Sequence, residues 1–465
     1  MPSRKASNKQ PGQRCIEATC GATFGINDRL YVCSHCGGLL EVQANASEGA
    51  AILKNRWRKR RASFESHDRS GVWRFRELLP FFDDAPIVSL NEGNTPLYEA
   101  PKTARYCGLD RLLLKHQGTN PTGSFKDTGM TTAVTQASLL GAKLVICAST
   151  GNTAASLAAY AARANMRCAI LVPEGQVSHA KLAQALDYGA FVLEMEGNFD
   201  SSMRVVRELA RDEAIYLVNS INPFRIEGQK TVTVELCEQL GWQPPDHLVL
   251  PGGNLGNCSA FGKGFYELLQ LELVNELPRI TIVQAEGAAP FADLFAKHER
   301  DLRRVNARLD FVDVAEPKTL ASAVKIGAPV SWKKAWRALA ITNGRVITVT
   351  EQEIADAKAI VGREGIGCEP ASATTIAGIR KLVADGRIDE NENVVAVLTG
   401  HLLKDTDYVI NYHQSTLNFD GKHGSEIIRG SFTNQPVRVK SDVKQIRDVL
   451  ARIVAAREES RNGDE

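Results

Sequence analysis

The stretch Asn120-Pro-Thr-Gly-Ser-Phe-Lys126-Asp-Thr-Gly129 places one lysine among small turn residues, just before a run that favours helix. Small residues on both sides of the lysine leave room for a bulky planar partner. Two further stretches have the composition of ligand-holding loops: Ser149-Thr-Gly-Asn-Thr-Ala154 and Pro251-Gly-Gly-Asn-Leu-Gly-Asn257. We therefore expect the fold to bring these three loops to one site.

The pattern of the chain from about Asp84 onward predicts an α/β fold. Short apolar runs alternate with helical segments. The predicted strands include Lys143 to Cys147, Arg279 to Ala285 and Arg345 to Val349, and the predicted helices include Met130 to Leu140, Thr153 to Arg163 and Gln229 to Leu240. Such alternation is typical of parallel sheet covered by helices on both faces. Ligands of these sheets bind beyond the carboxyl ends of the strands, and the three loops follow strands or precede helices.

Four of the cysteines cluster near the N-terminus, as Cys15-x4-Cys20 and Cys33-x2-Cys36, with glycines after each pair. This spacing indicates a tetrahedral thiolate zinc site in a short ribbon that has little core of its own. The first pair is wider than the usual two-residue gap, so a ribbon that keeps its cysteines without metal is the alternative. A zinc ribbon can also bind nucleic acid, but the aromatic residues here, Phe24 and Tyr31, are more typical of ribbon core.

The charge of the chain is nearly balanced, with 56 lysines and arginines against 54 acidic residues. This argues against a nucleic acid or a membrane surface as the main partner. We expect no transmembrane helix, because no long uncharged apolar run is present, and no secretory signal, because the basic N-terminal segment lacks an apolar stretch. The other six cysteines lie in apolar or small-residue segments, as do the reduced thiols of a cytoplasmic protein: Cys107, Cys147, Cys168, Cys237, Cys258 and Cys368.

The composition divides the chain into segments. They are a disordered tail (1–13), the zinc-ribbon-like module (14–46), a basic helical linker (47–85), the core in two subdomains (86–410) and a strand and helix extension (411–465). In the linker, Trp57, Trp73 and Phe75 are expected to dock the helix onto the body, although its basic run could instead bind an acidic partner. In the extension, Pro436 to Val439 predicts a strand, and Ser441 is expected to cap a final helix.

The three loops together meet the requirements of pyridoxal phosphate (PLP). This cofactor needs a lysine that captures its aldehyde, a cradle for its 5′-phosphate and groups that control its pyridine ring. The glycines after Pro251 follow a predicted strand and open a helix, so their N–H groups and the helix dipole favour an anion. Taken singly, each feature has a simpler explanation: a tight turn for the glycines, a solvated side chain for Lys126 and a helix cap for Asn152.

Eight motifs resemble those of the threonine synthases, a family of fold-type-II PLP enzymes. They are EGNTPL (92–97), NPTGSFKD (120–127), ASTGNTAAS (148–156), INPFRIEGQKT (221–231), PGGNLGN (251–257), TLASAVKIG (319–327), CEPASA (368–373) and LTGH (398–401). The resemblance covers about Leu90 to Asp405 and implies two open, mostly parallel sheets covered by helices. It also implies a homodimer that converts O-phospho-L-homoserine and water into L-threonine and phosphate.

The resemblance further implies a role for each site residue. Lys126 would bind the cofactor as a Schiff base and shuttle protons, Asn152 would contact the ring oxygen, and Thr399 would face the ring nitrogen. The cofactor phosphate would be held by backbone N–H groups, those of Gly253, Asn254, Leu255, Gly256 and Asn257. The substrate carboxylate would bind to Ser149, Thr150 and Thr153. The substrate phosphate would bind to Asn219, Ser220 and Arg225, whose guanidinium suits a dianion.

Three positions depart from the family pattern. Thr128, Ala328 and Leu402 stand where arginine, asparagine and glycine are common, and they bear on substrate preference more than on cofactor binding. One alternative is another PLP enzyme of this fold, such as a deaminase or a cysteate synthase acting on phosphoserine. The other is a zinc-ribbon binding protein with a vestigial enzyme body, against which the intact Lys126 and Asn152 argue.

Overall fold

A computed structural model describes residues 11–44, 48–175, 179–197, 199–304, 309–421 and 424–462. The strands are β1 (Gly12–Cys15), β2 (Thr23–Gly25), β3 (Leu40–Gln43), β4 (Leu97–Glu99), β5 (Leu112–His116), β6 (Leu144–Ala148), β7 (Arg167–Pro173), β8 (Phe191–Met195), β9 (Ile215–Leu217), β10 (His247–Pro251), β11 (Arg279–Ala285), β12 (Arg345–Val349), β13 (Val394–Leu398), β14 (Asn418–Gly421) and β15 (Gly424–Ile427). The helices are α1 (Ala50–Arg61), α2 (Pro101–Cys107), α3 (Lys126–Leu139), α4 (Asn152–Arg163), α5 (His179–Asp187), α6 (Phe199–Leu209), α7 (Phe224–Gln239), α8 (Gly256–Gln270), α9 (Pro290–His298), α10 (Trp332–Thr342), α11 (Glu351–Arg363), α12 (Pro370–Ala384), α13 (Thr406–His413) and α14 (Val443–Asn462).

The larger sheet has six strands in the order β12-β11-β10-β13-β5-β4. All neighbours pair in parallel except β4, which runs antiparallel to β5 at one edge. Alternate residues of β10 face opposite layers of helices: Leu248 and Leu250 join the core that contains α8, and Val249 joins the core that contains α12. Burial on both faces explains why these strands are continuously apolar.

The smaller sheet has four parallel strands in the order β8-β7-β6-β9. Helices α3 and α4 share a core with one of its faces, and α6 packs on the other. Two open, mostly parallel sheets covered by helices were predicted, and the structure confirms that fold class.

Two helices begin earlier than the sequence predicted, and both differences move site residues into helical first turns. The predicted start of α3 was Met130 and that of α7 was Gln229, in each case just after a glycine, which disfavours a helix interior. The glycines instead allow α3 and α7 to pack closely. A Cβ atom on Gly129 would lie 2.7 Å from the Arg225 carbonyl oxygen, and one on Gly228 would lie 1.8 Å from that of Thr128.

The N-terminal module is a small antiparallel sheet in the order β2-β1-β3. Strand β1 begins at Gly12, inside the segment expected to be a disordered tail, and residues 1–10 lie outside the described part of the chain. The following linker contains α1 and a short 3-10 segment at Trp73–Leu78. As predicted, Trp57, Trp73 and Phe75 are fully buried.

Much of the basic run in α1 is paired within the linker. Arg56 and Arg60 each form an ion pair with Glu77, at 3.0 Å and 2.6 Å respectively. Arg60 also lies 3.6 Å from Asp68. These contacts favour the linker explanation of the basic run over an acidic partner.

The C-terminal extension differs from its prediction. The strand predicted at Pro436 to Val439 is wrong: within the part of the chain that the structure describes, these residues pair with no other strand, and a hairpin of β14 and β15 forms earlier instead. The final helix exists, but its cap is Asp442, whose Oδ1 accepts from the Gln445 N–H at 2.7 Å, and not Ser441. Within the described residues, no helix is both long and apolar enough to cross a membrane.

The six scattered cysteines are buried and carry free thiols, as predicted: Cys107, Cys147, Cys168, Cys237, Cys258 and Cys368.

Candidate active site

The lysine loop connects β5 to α3 and is pinned to the end of β13. Ser124 forms an antiparallel bridge with Gly400, and the Phe125 N–H donates to the Thr399 carbonyl oxygen at 2.8 Å. Lys126 is the first residue of α3. The backbone thus holds two of the predicted site residues, Lys126 and Thr399, side by side.

The surroundings of Lys126 favour its neutral amine. Its Nζ lies 4.1 Å from the centre of the Phe125 ring. Burial, reinforced by the nearby Arg225 cation and opposed by Glu369, lowers the pKa of Lys126 to about 7. A neutral amine is the form that attacks an aldehyde.

Asp127 is a site residue to which the sequence analysis gave no role. Its Oδ1 accepts from the hydroxyls of Thr122 at 2.6 Å and Ser156 at 2.5 Å, and its Oδ2 accepts from the Thr122 N–H at 2.7 Å. Ser156 lies on α4, the helix that begins with Asn152. Asp127 therefore fixes the lysine loop relative to the start of α4, and burial raises its pKa to about 6.

The glycine-rich loop connects β10 to α8. Leu255 adopts φ +62°, the left-handed region, and a Cβ atom on Gly253 would lie 3.2 Å from the Ala323 carbonyl oxygen. No protein acceptor among the described residues takes the N–H groups of residues 253–257. Convergent free N–H groups at a helix N-terminus are suited to a phosphate.

Asn257 gives an independent sign that this loop holds a polar ligand. Its side chain is 6% exposed, and neither of its amide atoms has a hydrogen-bond partner in the described part of the chain. A buried amide without partners costs free energy unless a ligand satisfies it. The loop therefore fits the 5′-phosphate end of PLP.

Asn152 and Thr399, predicted to contact the pyridine ring, meet at a common neighbour. The Asn152 Nδ2 donates to Glu369 Oε2 at 2.9 Å, and the Thr399 Oγ1 lies 2.9 Å from Glu369 Oε1. Asn152 begins α4 above the smaller sheet, whereas Thr399 ends β13 of the larger sheet. Glu369 belongs to the CEPASA motif, but nothing in its sequence position indicated a role for it.

Ser149, Thr150 and Thr153 surround the start of α4, where they were predicted to bind a carboxylate. All three are half-buried, and Ser149 Oγ accepts from the Gly151 N–H at 3.3 Å. A helix N-terminus bordered by hydroxyl groups suits a carboxylate.

Asn219 and Ser220, two of the residues predicted to bind the substrate phosphate, form hydrogen bonds within the protein. The Asn219 amide exchanges hydrogen bonds with the Ala148 backbone at 2.9 Å and 3.0 Å, which joins the ends of β9 and β6 and leaves one Nδ2 hydrogen free. Ser220 Oγ accepts from Asn254 Nδ2 at 3.0 Å. Ser220 thus links the predicted substrate site to the glycine-rich loop.

Arg225 is a buried cation without an anionic partner. It is 4% exposed, its Nη1 makes one long contact of 3.5 Å with the Val218 carbonyl oxygen, and its Nε has no partner. Within the described residues, no carboxylate forms an ion pair with it, and burial lowers its pKa to about 10. Buried charges are normally paired, so this guanidinium fits an anionic ligand.

The four N-terminal cysteines form a separate cluster. Their Sγ atoms lie within 4.8 Å of one another, with 3.4 Å between Cys15 and Cys36 and 3.7 Å between Cys20 and Cys33. A tetrahedron with Zn–S bonds of about 2.3 Å needs sulfurs about 3.8 Å apart. The arrangement therefore fits a closed zinc site.

Comparison with known protein families matches residues 88–400 to the family described as "Pyridoxal-phosphate dependent enzyme". Solved structures agree on the fold. Threonine deaminase isoform 2 of Solanum lycopersicum superposes with a TM-score of 0.58 at 22% identity, over 68% of this chain and 86% of that chain. A fungal L-serine ammonia-lyase from Rhizomucor miehei gives 0.59 at 18% identity, over 70% and 98%. The chain belongs to the pyridoxal-phosphate dependent enzymes.

Curated relatives narrow that class. The threonine synthase of Methanocaldococcus jannaschii is 45% identical over 410 residues, which are 88% of this chain and 96% of the relative. That of Methanosarcina acetivorans is 44% identical over 85% of this chain and 93% of the relative. Within the PLP-dependent enzymes, the chain belongs to the threonine synthase family.

Proposed function

We propose that this protein is a threonine synthase that uses PLP to convert O-phospho-L-homoserine and water into L-threonine and phosphate. The observation that carries the proposal is Arg225, a buried guanidinium without a carboxylate partner among the described residues, close enough to Lys126 to lower its pKa. A site for a second anion beside the reactive lysine matches a phosphorylated amino-acid substrate. Membership of the threonine synthase family supports the same conclusion.

The division of roles follows from the contacts of the chain. When bound, the cofactor supplies an electron sink for the carbon atoms of the substrate. Lys126 Nζ, whose pKa of about 7 makes the neutral amine accessible at neutral pH, accepts the proton that leaves the substrate carbon and later returns it. The N–H groups of residues 253–257 bind the cofactor phosphate, and Asn152 and Thr399 orient its ring.

The substrate is held at both ends. The start of α4, with Ser149, Thr150 and Thr153, binds the carboxylate, and Arg225 with Ser220 and the free hydrogen of Asn219 binds the phosphate. Two fixed anionic ends align the carbon chain between them with the lysine.

Product analysis tests the proposal. Purified protein with PLP should release phosphate from O-phospho-L-homoserine and form threonine in equal amounts, as identified by mass spectrometry. Release of phosphate without threonine, or faster turnover of phosphoserine or threonine, would instead favour the other PLP enzymes of this fold.

We infer further that the cysteine cluster holds one structural zinc ion, and that the enzyme is a cytoplasmic homodimer that binds neither nucleic acid nor membrane. Balanced charge and free buried thiols support this inference. Light scattering of the purified protein tests the dimer, and a monomeric mass at working concentration would contradict it.

A further inference from the structure

Glu369 is a buried carboxyl group that the roles above leave unused. It directly precedes α12 and is 2% exposed. Its N–H donates to the Gly400 carbonyl oxygen at 3.0 Å, and a Cβ atom on Gly400 would lie 2.3 Å from the Glu369 carboxyl carbon. The carboxyl group is therefore fixed against the backbone that follows Thr399.

The two oxygens of Glu369 hold both ring-contacting side chains at once. The Asn152 amide nitrogen carries two hydrogens. One of them is donated to Glu369 Oε2 at 2.9 Å, which leaves the other for the ring oxygen. Oε1 faces the Thr399 hydroxyl at 2.9 Å.

Ser372 determines the direction of the hydrogen bonds around Thr399. Its Oγ accepts from the Thr399 N–H at 2.8 Å and from the Gly400 N–H at 3.2 Å, which occupies both of its lone pairs. Its own hydrogen must then be donated to the Thr399 Oγ1, which lies 3.0 Å away. Thr399 Oγ1 is left with one lone pair and one hydrogen for Glu369 and the ring nitrogen.

Only two arrangements of the protons allow Ser372, Thr399, Glu369 and the ring nitrogen all to form hydrogen bonds. If Glu369 is ionised, Thr399 donates to it, and the ring nitrogen must carry a proton to bond with the remaining lone pair. If Glu369 carries the proton on Oε1, it donates to Thr399, and Thr399 donates to a ring nitrogen without a proton. The two arrangements contain the same number of protons and differ only in which atoms hold them.

Burial favours the second arrangement. An anion inside the protein loses its hydration, and burial is the main reason that the pKa of Glu369 is raised. The repulsion of Asp405 acts in the same direction, whereas the contacts of Asn152 and Thr399 and the charge of Lys126 oppose it. The charged or titratable groups that face Glu369 are Lys126, Lys404, Cys368 and Asp405.

Resting on the proposed function, we propose that Glu369 is a positioning residue that keeps its proton in the resting enzyme. Thr399 Oγ1 then donates to the pyridine nitrogen of the cofactor, and that nitrogen carries no proton. The carboxyl group of Glu369 thereby sets the protonation state of the ring nitrogen through the Thr399 hydroxyl, without contacting the cofactor nitrogen itself.

The protonation state of the ring nitrogen tests this proposal directly. Holoenzyme reconstituted with PLP labelled with ¹⁵N in the ring reports that state through its ¹⁵N chemical shift. The wild-type enzyme near neutral pH should show an unprotonated nitrogen. Glu369→Gln should leave the shift unchanged, because the introduced amide accepts from Asn152 and donates to Thr399 as a neutral carboxyl group does.

The outcomes separate the proposals. If the wild-type enzyme forms threonine but its ring nitrogen is protonated, the role proposed for Glu369 is wrong and the proposed function stands. This outcome needs only the wild-type enzyme, so it does not depend on whether the variant folds. A shift that moves from protonated to unprotonated in Glu369→Gln would overturn the role of Glu369 as well. If the wild-type protein mixed with PLP shows no absorbance band of a lysine-bound cofactor, the proposed function fails together with this inference.

Two further variants complete the design. Glu369→Ala should weaken PLP binding about tenfold, because Asn152 and Thr399 lose a shared hydrogen-bond partner. Glu351, the first residue of α11, serves as a control because it is another buried glutamate with a raised pKa. It accepts from the Leu320 N–H at 3.1 Å. Glu351→Gln should leave both the ¹⁵N shift of the ring nitrogen and the PLP affinity unchanged. An equal loss of PLP affinity in Glu369→Ala and Glu351→Gln would assign Glu369 a merely structural role.

Discussion

Lys126 is a reactive group whose protonation is set by its neighbours. Because the neutral amine captures the cofactor, the rate at which the apoenzyme binds PLP should rise with pH through about 7. Rapid-mixing absorbance over a pH series measures this rate. A midpoint near the ordinary lysine pKa of about 10.4 would contradict the prediction.

The same experiment has an internal control. Arg225→Met removes a cation that lowers the pKa of Lys126, so it should move the midpoint to higher pH. Glu369→Gln should leave the midpoint unchanged if the carboxyl group keeps its proton, because one neutral side chain then replaces another, whereas a midpoint at lower pH would indicate an ionised Glu369 in the apoenzyme.

Arg225 should act mainly on substrate binding, apart from its effect on the pKa of Lys126. Loss of hydrogen bonds to a charged group costs about 1.5–3 kcal/mol each, so Arg225→Met should lower kcat/KM by about tenfold to 150-fold or more. Arg225→Lys keeps the charge but loses the planar fork, and it should recover only part of the activity. Steady-state kinetics measure these effects, and at a pH well above the Lys126 midpoint the PLP affinity of both variants should match that of the wild type. An unchanged KM for the phosphorylated substrate would remove Arg225 from the site.

At the scale of single residues, the sequence predicted the groups that have a distinctive motif and missed those defined by contact. Lys126, Asn152 and Thr399 lie together around Glu369, and their roles toward the cofactor stay predictions. Glu369 and Asp127 were not assigned roles, because their significance lies in partners that are distant in the chain, such as Asn152 for Glu369. For Asn219 the pattern could not reveal that most of the amide is occupied by the Ala148 backbone.

The glycine-rich loop shows what a single element contributes. Gly253→Ala should weaken PLP binding, because the added Cβ lies within 3.2–3.3 Å of the backbone of Ala323 and Val324 and must displace the loop. Gly362 on α11 has no atom within 4 Å of such a Cβ. Gly362→Ala should therefore leave PLP affinity unchanged, and fluorescence titration of the apoenzymes compares the two. Equal affinities would show that the loop does not approach the cofactor.

The N-terminal ribbon should depend on its metal. The purified protein should contain about one zinc per chain by atomic emission, and Cys36→Ser should lose it and lower the melting temperature. Cys36 is exposed, so the substitution removes little packing. Cys168→Ala, a buried thiol far from the cluster in sequence, should keep the zinc. Zinc-free protein with full stability would support the metal-free ribbon.

At the scale of elements, prediction succeeded where strand and helix alternate and failed where pairing depends on the rest of the chain. Strands β11 and β12 match their predicted bounds because their apolar runs are sharply delimited. Valines at positions 437 and 439 alternate like a strand, yet they are 66% and 42% exposed and have no strand beside them. The starts of α3 and α7 were predicted too late because Gly129 and Gly228 disfavour a helix interior, whereas in the structure they allow close contact between the two helices.

The molecule as a whole should tolerate the loss of its last helix. In α14, the apolar side chains Val443, Ile446, Leu450 and Ile453 are 38–73% exposed, so they contribute little buried area to stability. Truncation after Lys440 should leave both activity and melting temperature unchanged, as measured by product assay and thermal unfolding. A clear fall in either would mean that α14 packs against another chain.

The ribbon also covers a side of the smaller sheet. Among the strands of the described residues, β9 pairs with β6 alone, and residues of the ribbon contact its other side. The Leu217 N–H donates to the Tyr31 hydroxyl at 2.8 Å, and Arg29 reaches the Ile215 carbonyl oxygen at 3.5 Å. A bare outer strand would offer a template on which other chains could add strands. We therefore expect that loss of the ribbon would expose the outer side of β9 and promote aggregation.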